Sequence, residues 1–565
     1  MKNKIKDYLI ILVFTIIISI PLFNENFNIY IDDGVQHIAR LMGTCQTITE
    51  KQVPPVIMSN FCNGFGYSWN IFYSPLTAYL PLIFRLFTSS FELMLKLFMT
   101  LVSFLCGIAM YEFIKKVTKN KYAGILGAIL YILAPYRLTD MYMRIAISEL
   151  ASFIFIPIVF HGMYNIFNCE EKNIKKSLVL TLGTVGLILT HTVIAMYIAI
   201  FCMIYVIINI RKLKEKEVLK MLVINILLIL LLTSFYLLPM LEHKLATDYE
   251  VFEPGRMERT EVLKALKVDV TDLLYTPKGN FSFEIGLVSL IGIVFTLLTY
   301  KKIDKEIRKM YWFALVLGFI CIILSLRFFP YENMPAILKM IQFTFRLLEF
   351  SSFFFIFVAA INYSLVIKNF KMKDVIIISI IAFLLVVPLK KNLDFEKNYS
   401  EDRLWPAVEV NDNTERVHAG CATFEYLPSK AFDNLDYIKH REDRVYVLSG
   451  NAVVKNEEKN GTNMKFSVSN IEESTIIELP YIFYLGYNVE ITNEAGETLK
   501  IDTFESDNGF VAIKIDREEE GTVSVKYTGT NLMKISYTIS FVTFISLILI
   551  FILNKYWNYI TSKRK

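Results

Sequence analysis

The chain has 565 residues, 54% of them hydrophobic, 14% aromatic and only 20% charged, with a net charge of +5. That is too apolar for one soluble domain of this length, so a membrane class is the first inference. The positive residues sit in short loops with no basic patch of interleaved aromatics, which argues against a nucleic-acid partner, and the chain has no Walker loop, dinucleotide fingerprint, zinc-protease helix or Gly-x-Ser-x-Gly elbow.

In chain order, uncharged runs such as 8–23, 221–240, 312–326, 350–367 and 535–553 each approach the ~20 residues that a helix needs to cross hydrocarbon. About twelve segments meet that criterion. The first is followed by Pro21-Leu22-Phe23-Asn24-Glu25, with no small-residue cleavage site, and reads as a retained anchor. Lys2, Lys4 and Lys6 precede it, and every second loop after it is short and basic, at 115–121, 172–176, 211–216, 301–309, 368–373 and 563–565. By the positive-inside rule these loops are cytoplasmic, with both termini. Residues 1–390 then form a membrane domain with outer loops 24–91 and 241–283. The Ile-, Lys- and Asn-rich composition suits an AT-rich bacterial genome, hence a bacterial plasma membrane.

Residues 391–532 differ in kind. Short alternating segments at 444–448, 464–468, 511–515 and 522–527 are separated by turn signals such as Asn460-Gly461, Glu494-Ala495-Gly496 and Asp507-Asn508-Gly509. They predict a compact extracytoplasmic β-sandwich before the last helix; residues 533–565 are that helix and a basic tail. Cys45 and Cys62 share one outer loop and could be bonded or free, and no Cys/His spacing reads as a zinc site.

Charge at the outer ends of apolar helices is costly unless paired, hydrated or used. After the first span comes Asp32-Asp33-Gly34-Val35-Gln36-His37-Ile38-Ala39-Arg40. On a helix, Asp33, His37 and Arg40 share one face, which suits a base, its orienting partner and an anion-binding cation. The ordinary alternative is an N-capping aspartate with solvated neighbours. Next is Tyr136-Arg137-Leu138-Thr139-Asp140 with Arg144, Ser148 and Glu149. The spacing of Arg137, Asp140 and Arg144 sets one carboxylate between two guanidiniums, an excess of positive charge that would hold a phosphate. Its alternative is interfacial snorkelling with a local ion pair. His191 lies at a tight turn and Arg346 at the head of an apolar helix, and either could be an ordinary residue of such a position.

These stretches resemble the bacterial YfhO-like membrane proteins, also labelled "6-pyruvoyl-tetrahydropterin synthase-related" and related in architecture to GT-C glycosyltransferases. The resemblance is carried by 33–40, Asn63-Gly64-Phe65-Gly66-Tyr67, Phe72-Tyr73-Ser74-Pro75, Tyr136 to Asp140 with Arg144 and Glu149, Leu189-Thr190-His191, Gln342 with Arg346, and Glu425-Tyr426-Leu427-Pro428. It extends over nearly the whole chain. No His-rich pterin synthase module accompanies it.

The resemblance implies a GT-C-like α-helical polytopic protein whose donor is a polyprenyl-phosphate-linked sugar and whose acceptor is an extracytoplasmic glycan or polymer. Asp33 matches the family's acidic residue, with Asp32 less secure and His37 beside it. Arg40, Arg137, Asp140, Arg144, Glu149, His191 and Arg346 are then candidates for contacting the lipid phosphate or the sugar. Asp32-Asp33 is not an Asp-x-Asp motif, so no cofactor is specified, though a divalent metal is compatible. The aromatic stretch between Pro54 and Pro75 is expected to be an interfacial helix guiding the lipid chain. A lipid or glycan transporter, or a non-catalytic envelope assembly protein, are the competing readings.

Overall fold

A computed structural model describes residues 2–25, 27–169, 172–253, 267–275, 282–335, 339–386, 424–515 and 520–563. Its main helices are α1 (Lys2–Ser19), α2 (Gly34–Thr49), α3 (Phe91–Thr118), α4 (Lys121–Ile132), α5 (Pro135–Tyr142), α6 (Ile147–Phe167), α7 (Ile174–Thr190), α8 (Thr192–Ile208), α9 (Lys216–Ala246), α10 (Arg308–Ser325), α11 (Leu347–Val366), α12 (Met372–Val386) and α13 (Asn531–Lys563). The chain divides into two compact units. Met1–Val35, Tyr79–Ile229 and Met257–Leu404 make the first; Gln36–Ala78, Leu230–Arg256 and Trp405–Lys565 make the second.

In the first unit the helix ends follow local chemistry. Ser90 caps α3 by accepting from the Leu93 N–H, and Asn120 caps α4 by accepting from the Tyr122 and Ala123 N–H groups. Pro135 opens α5, where a missing N–H costs nothing. Buried along almost its whole length, α11 is a core helix of this unit. Phe353 and Phe357 stack on Phe113 at 5.8 and 5.0 Å, and Phe160 stacks on Phe353 at 5.2 Å.

Seven helical segments are long and apolar enough to cross a bilayer: Lys4–Phe23, Phe91–Thr118, Ile147–Phe167, Lys216–Ala246, Arg308–Ser325, Thr344–Val366 and Asn531–Leu553. The pair α4 and α5, bent by 44°, makes an eighth if it is one span. This is a multi-pass membrane protein. The count among the described residues is below the twelve expected, because helices such as α7 and α8, at 17 residues each, fall short of the length required.

The second unit carries nine strands: β1 (Tyr446–Ser449), β2 (Val453–Asn460), β3 (Asn463–Ser469), β4 (Thr475–Ile482), β5 (Tyr487–Thr492), β6 (Thr498–Ile501), β7 (Thr503–Glu505), β8 (Phe510–Ile515) and β9 (Gly521–Tyr527). They form antiparallel sheets in the orders β1-β4-β8-β7 and β2-β3-β9-β5-β6. Inward residues of both sheets, among them Ile477, Ile513, Phe466 and Val525, contribute to one hydrophobic cluster.

That cluster also takes in Ile57, Phe61, Phe65, Tyr67 and Trp69. The expected lipid-guiding helix between Pro54 and Pro75 is therefore corrected: the stretch is mostly turns with one short helix, Trp69–Phe72, and its aromatics pack against strands. Phe65 meets Phe510 at 5.2 Å, and its carbonyl accepts from the Ile482 N–H. Cys45 and Cys62 are not bonded to each other.

Candidate functional site

The site in the first unit begins with an interrupted helix. α5 stops at Tyr142, and the Met143 and Arg144 N–H groups both donate to the Thr139 carbonyl. Ile145 then turns the chain with φ 51°, after which the Ala146 N–H returns to the Asp140 carbonyl and α6 starts at Ile147. A β-branched residue in the left-handed region is sterically costly. Two further non-glycine residues around the same network share that conformation, Asp32 at φ 44° and Gln342 at φ 65°. Such strain collects where geometry matters to function. The Arg144 carbonyl accepts from the Asp33 N–H at 3.0 Å, tying the turn to the start of α2. Gly34 is needed there, because a Cβ would lie 1.9 Å from the Ile29 oxygen.

This backbone delivers a buried ion network. Arg144, 3% exposed, reaches Asp140 at 2.7 Å and Glu149 at 3.0 Å through Nη1. Its other nitrogens face the more exposed Asp32 at 3.9 Å and Asp33 at 3.8 Å. Arg346 Nε donates to Glu149 Oε2 at 2.9 Å, and its Nη1 donates to Gln342 Oε1 at 2.7 Å. The Tyr136 hydroxyl donates to Glu149, and the Ser152 hydroxyl to Glu349. Phe345 lies under the Arg144 guanidinium at 5.1 Å and Phe343 under that of Arg346 at 4.9 Å. Asp140 Oδ2 and Glu349 Oε2 are buried without a hydrogen-bond partner among the described residues.

Several sequence expectations change here. Arg137, Asp140 and Arg144 do not share one helix face, since α5 ends before Arg144. Fully buried, Arg137 donates to Ser103 Oγ at 2.6 Å and to the Ile132 carbonyl at 3.1 Å. The surplus of positive charge expected in this stretch is absent: Arg144 and Arg346 stand against the carboxylates of Asp32, Asp33, Asp140, Glu149 and Glu349. His191 ends α7 and caps α8, its Nδ1 accepting from the Ile194 N–H. Burial, followed by the Arg346 guanidinium, lowers its pKa to about 3, so the imidazole is neutral. Tyr136, Ser152 and Glu349 were not anticipated as site residues, although an ionisable residue such as Glu349 inside an apolar run is itself a signal.

Asp33 and Arg40 have different partners. Asp33 stands just before α2 and faces Arg144. Arg40, in the second unit, lies between the rings of Trp69 at 3.5 Å and Tyr73 at 3.8 Å. It is 7% exposed, and its Nε and Nη1 have no hydrogen-bond partner among the described residues. His37 is buried in the first turn of α2. Among the described residues no group of three or more His, Cys, Asp or Glu side chains is arranged to hold a metal ion.

Residues 71–392, more than half of the chain, match the family described as "6-pyruvoyl-tetrahydropterin synthase related domain; membrane protein". A protein of Lactococcus lactis subsp. cremoris (strain MG1363), described as "Uncharacterized protein", is 31% identical over 196 residues, which are 34% of this chain. The chain spans 31% of the length of that relative.

Proposed function

Given that the chain belongs to the 6-pyruvoyl-tetrahydropterin synthase related family of membrane proteins, we propose that it is a GT-C-like glycosyltransferase. It moves a sugar from a polyprenyl-phosphate donor to an extracytoplasmic glycan or polymer, in a bacterial plasma membrane with both termini cytoplasmic. The observation that carries this reading is Asp33: an accessible carboxylate, 45% exposed, which Arg144 holds beside Asp32 at the exposed edge of a largely buried ion network.

Asp33 removes the proton from the acceptor hydroxyl as its oxygen bonds to the anomeric carbon, and the bond from that carbon to the lipid-phosphate oxygen breaks. The electron pair leaves with the phosphate, and direct transfer inverts the anomeric centre. Arg144 positions Asp33. Arg346 stabilises the growing negative charge. The neutral His191 serves as a hydrogen-bonding group and not as a cation.

Mass spectrometry of lipid-linked sugars and envelope glycans from wild-type, deletion and Asp33→Asn cells tests this. Loss of one sugar from an envelope polymer in both mutants, with its lipid-linked donor accumulating, is the expected result. Unchanged glycans in both would sink the assignment. A lipid or glycan transporter is the second reading. It is favoured by the oxygens of Asp140 and Glu349 that lack a hydrogen-bond partner among the described residues, since intramembrane carboxylates mark proton relays. Uptake by vesicles carrying the purified protein separates the two.

A further inference from the structure

A groove of about 660 Å³ opens between α8 and α10 of the first unit. Its walls are apolar, with Ile208 from α8 and Val316 and Ile320 from α10, all exposed. One end is different. Lys305, Arg308 and Lys309 line it beside Trp312. Arg308 donates to the Ile303 carbonyl at 3.1 Å and Lys309 to Asn209 Oδ1 at 3.3 Å. None of the three cations is ion-paired among the described residues; the neighbouring carboxylate of Glu306 pairs instead with Lys119 at 3.2 Å. The same end is the N terminus of α10, whose free N–H groups add positive potential.

An apolar channel that ends in three unneutralised cations and an interfacial tryptophan is complementary to one kind of molecule, a chain-bearing lipid with an anionic phosphate head. The geometry points to this groove as a binding site for an anionic glycerophospholipid of the bilayer, with its acyl chain along Ile208, Val316 and Ile320 and its phosphate on Lys305, Arg308 and Lys309. The site is independent of the ion network around Arg144 and requires no transferase activity.

Native mass spectrometry of the full-length protein, released from detergent with equal phosphatidylglycerol and phosphatidylcholine added, reads the preference directly. Phosphatidylglycerol adducts should dominate, and each cation removed in the series Lys305→Gln, Arg308→Gln, Lys309→Gln should weaken retention by about fivefold. Lys371→Gln with Lys373→Gln, which removes charge from another basic loop, should leave the preference intact. If the triple variant does not fold, Ile320→Trp fills the apolar half of the groove and should lower phosphatidylglycerol retention while its headgroup ligands remain. Equal retention of the two lipids by wild type, a preference that survives the triple variant, unchanged phosphatidylglycerol retention by Ile320→Trp, or displacement by inorganic phosphate alone would each overturn the assignment.

Discussion

Arg144 neutralises Asp140 and Glu149, and removing one member of a buried ion group leaves the others uncompensated. Arg144→Gln should therefore destabilise the first unit by about 3–5 kcal/mol, seen as loss of monodisperse protein and a lower thermal midpoint in detergent. Asp33→Asn touches an exposed carboxylate with one contact at 3.8 Å and should leave the midpoint nearly unchanged. Equal destabilisation by both would mean that Asp33 is structural. Gly34→Ala forces a Cβ to within 1.9 Å of a backbone oxygen and should cost about 1–3 kcal/mol, as overpacking does. The identities in this network were readable as charges in apolar surroundings, but their pairing was not. Helical spacing joined Arg137 to Asp140 and Arg144, but the helix ends at Tyr142, before Arg144, and the chain then turns at Ile145, a residue type that gives no sign of a left-handed conformation. Glu149 and Arg346 meet across 197 residues, a separation that no local pattern encodes.

At the scale of elements, α9 and α13 are joined inside the second unit by small polar residues. Ser234 Oγ lies 2.8 Å from Ser540 Oγ, and Ser540 Oγ donates to the Leu231 carbonyl at 2.9 Å. Hydrogen bonds between bilayer helices are individually modest, so a double-mutant cycle of Ser234→Ala and Ser540→Ala should give a coupling of about 0.6 kcal/mol. A coupling indistinguishable from zero would mean that the two helices associate by packing alone. The strands show what pattern can and cannot reveal. Expected segments at 464–468, 511–515 and 522–527 fall within β3, β8 and β9, and the turn at Asp507-Asn508-Gly509 separates β7 from β8. Gly509, at φ 78°, is required, since a Cβ would sit 2.3 Å from the Ala431 nitrogen. β2, reading Val453-Val454-Lys455-Asn456-Glu457-Glu458-Lys459-Asn460, escaped because an edge strand need not alternate.

Across the whole molecule, sequence order and compactness part company. The second unit is assembled from three distant segments, and its contacts span the chain: Gln52 Nε2 donates to Thr462 Oγ1 at 2.9 Å, and the Tyr426 N–H to the Tyr67 hydroxyl at 3.1 Å. The aromatic stretch at 54–75 was legible as a connection between helices and the strands as strands, but that they share one hydrophobic cluster could be seen only in three dimensions. The energetic consequence is large. Phe65, Tyr67, Trp69 and Phe72 are all buried in that cluster, at about 2 kcal/mol for each large apolar side chain. Together they approach the whole net stability of a typical domain, about 5–15 kcal/mol. A fragment of residues 424–530 made alone should therefore be insoluble, or soluble with a dye-binding, loosely packed core and no cooperative thermal transition. Joining residues 36–78 to it through a flexible linker should restore a cooperative transition, and Trp69→Ala in the joined form should weaken it again. A monomeric 424–530 fragment that unfolds cooperatively by itself would mean that the strands carry their own core and that the aromatic loop only rests upon it.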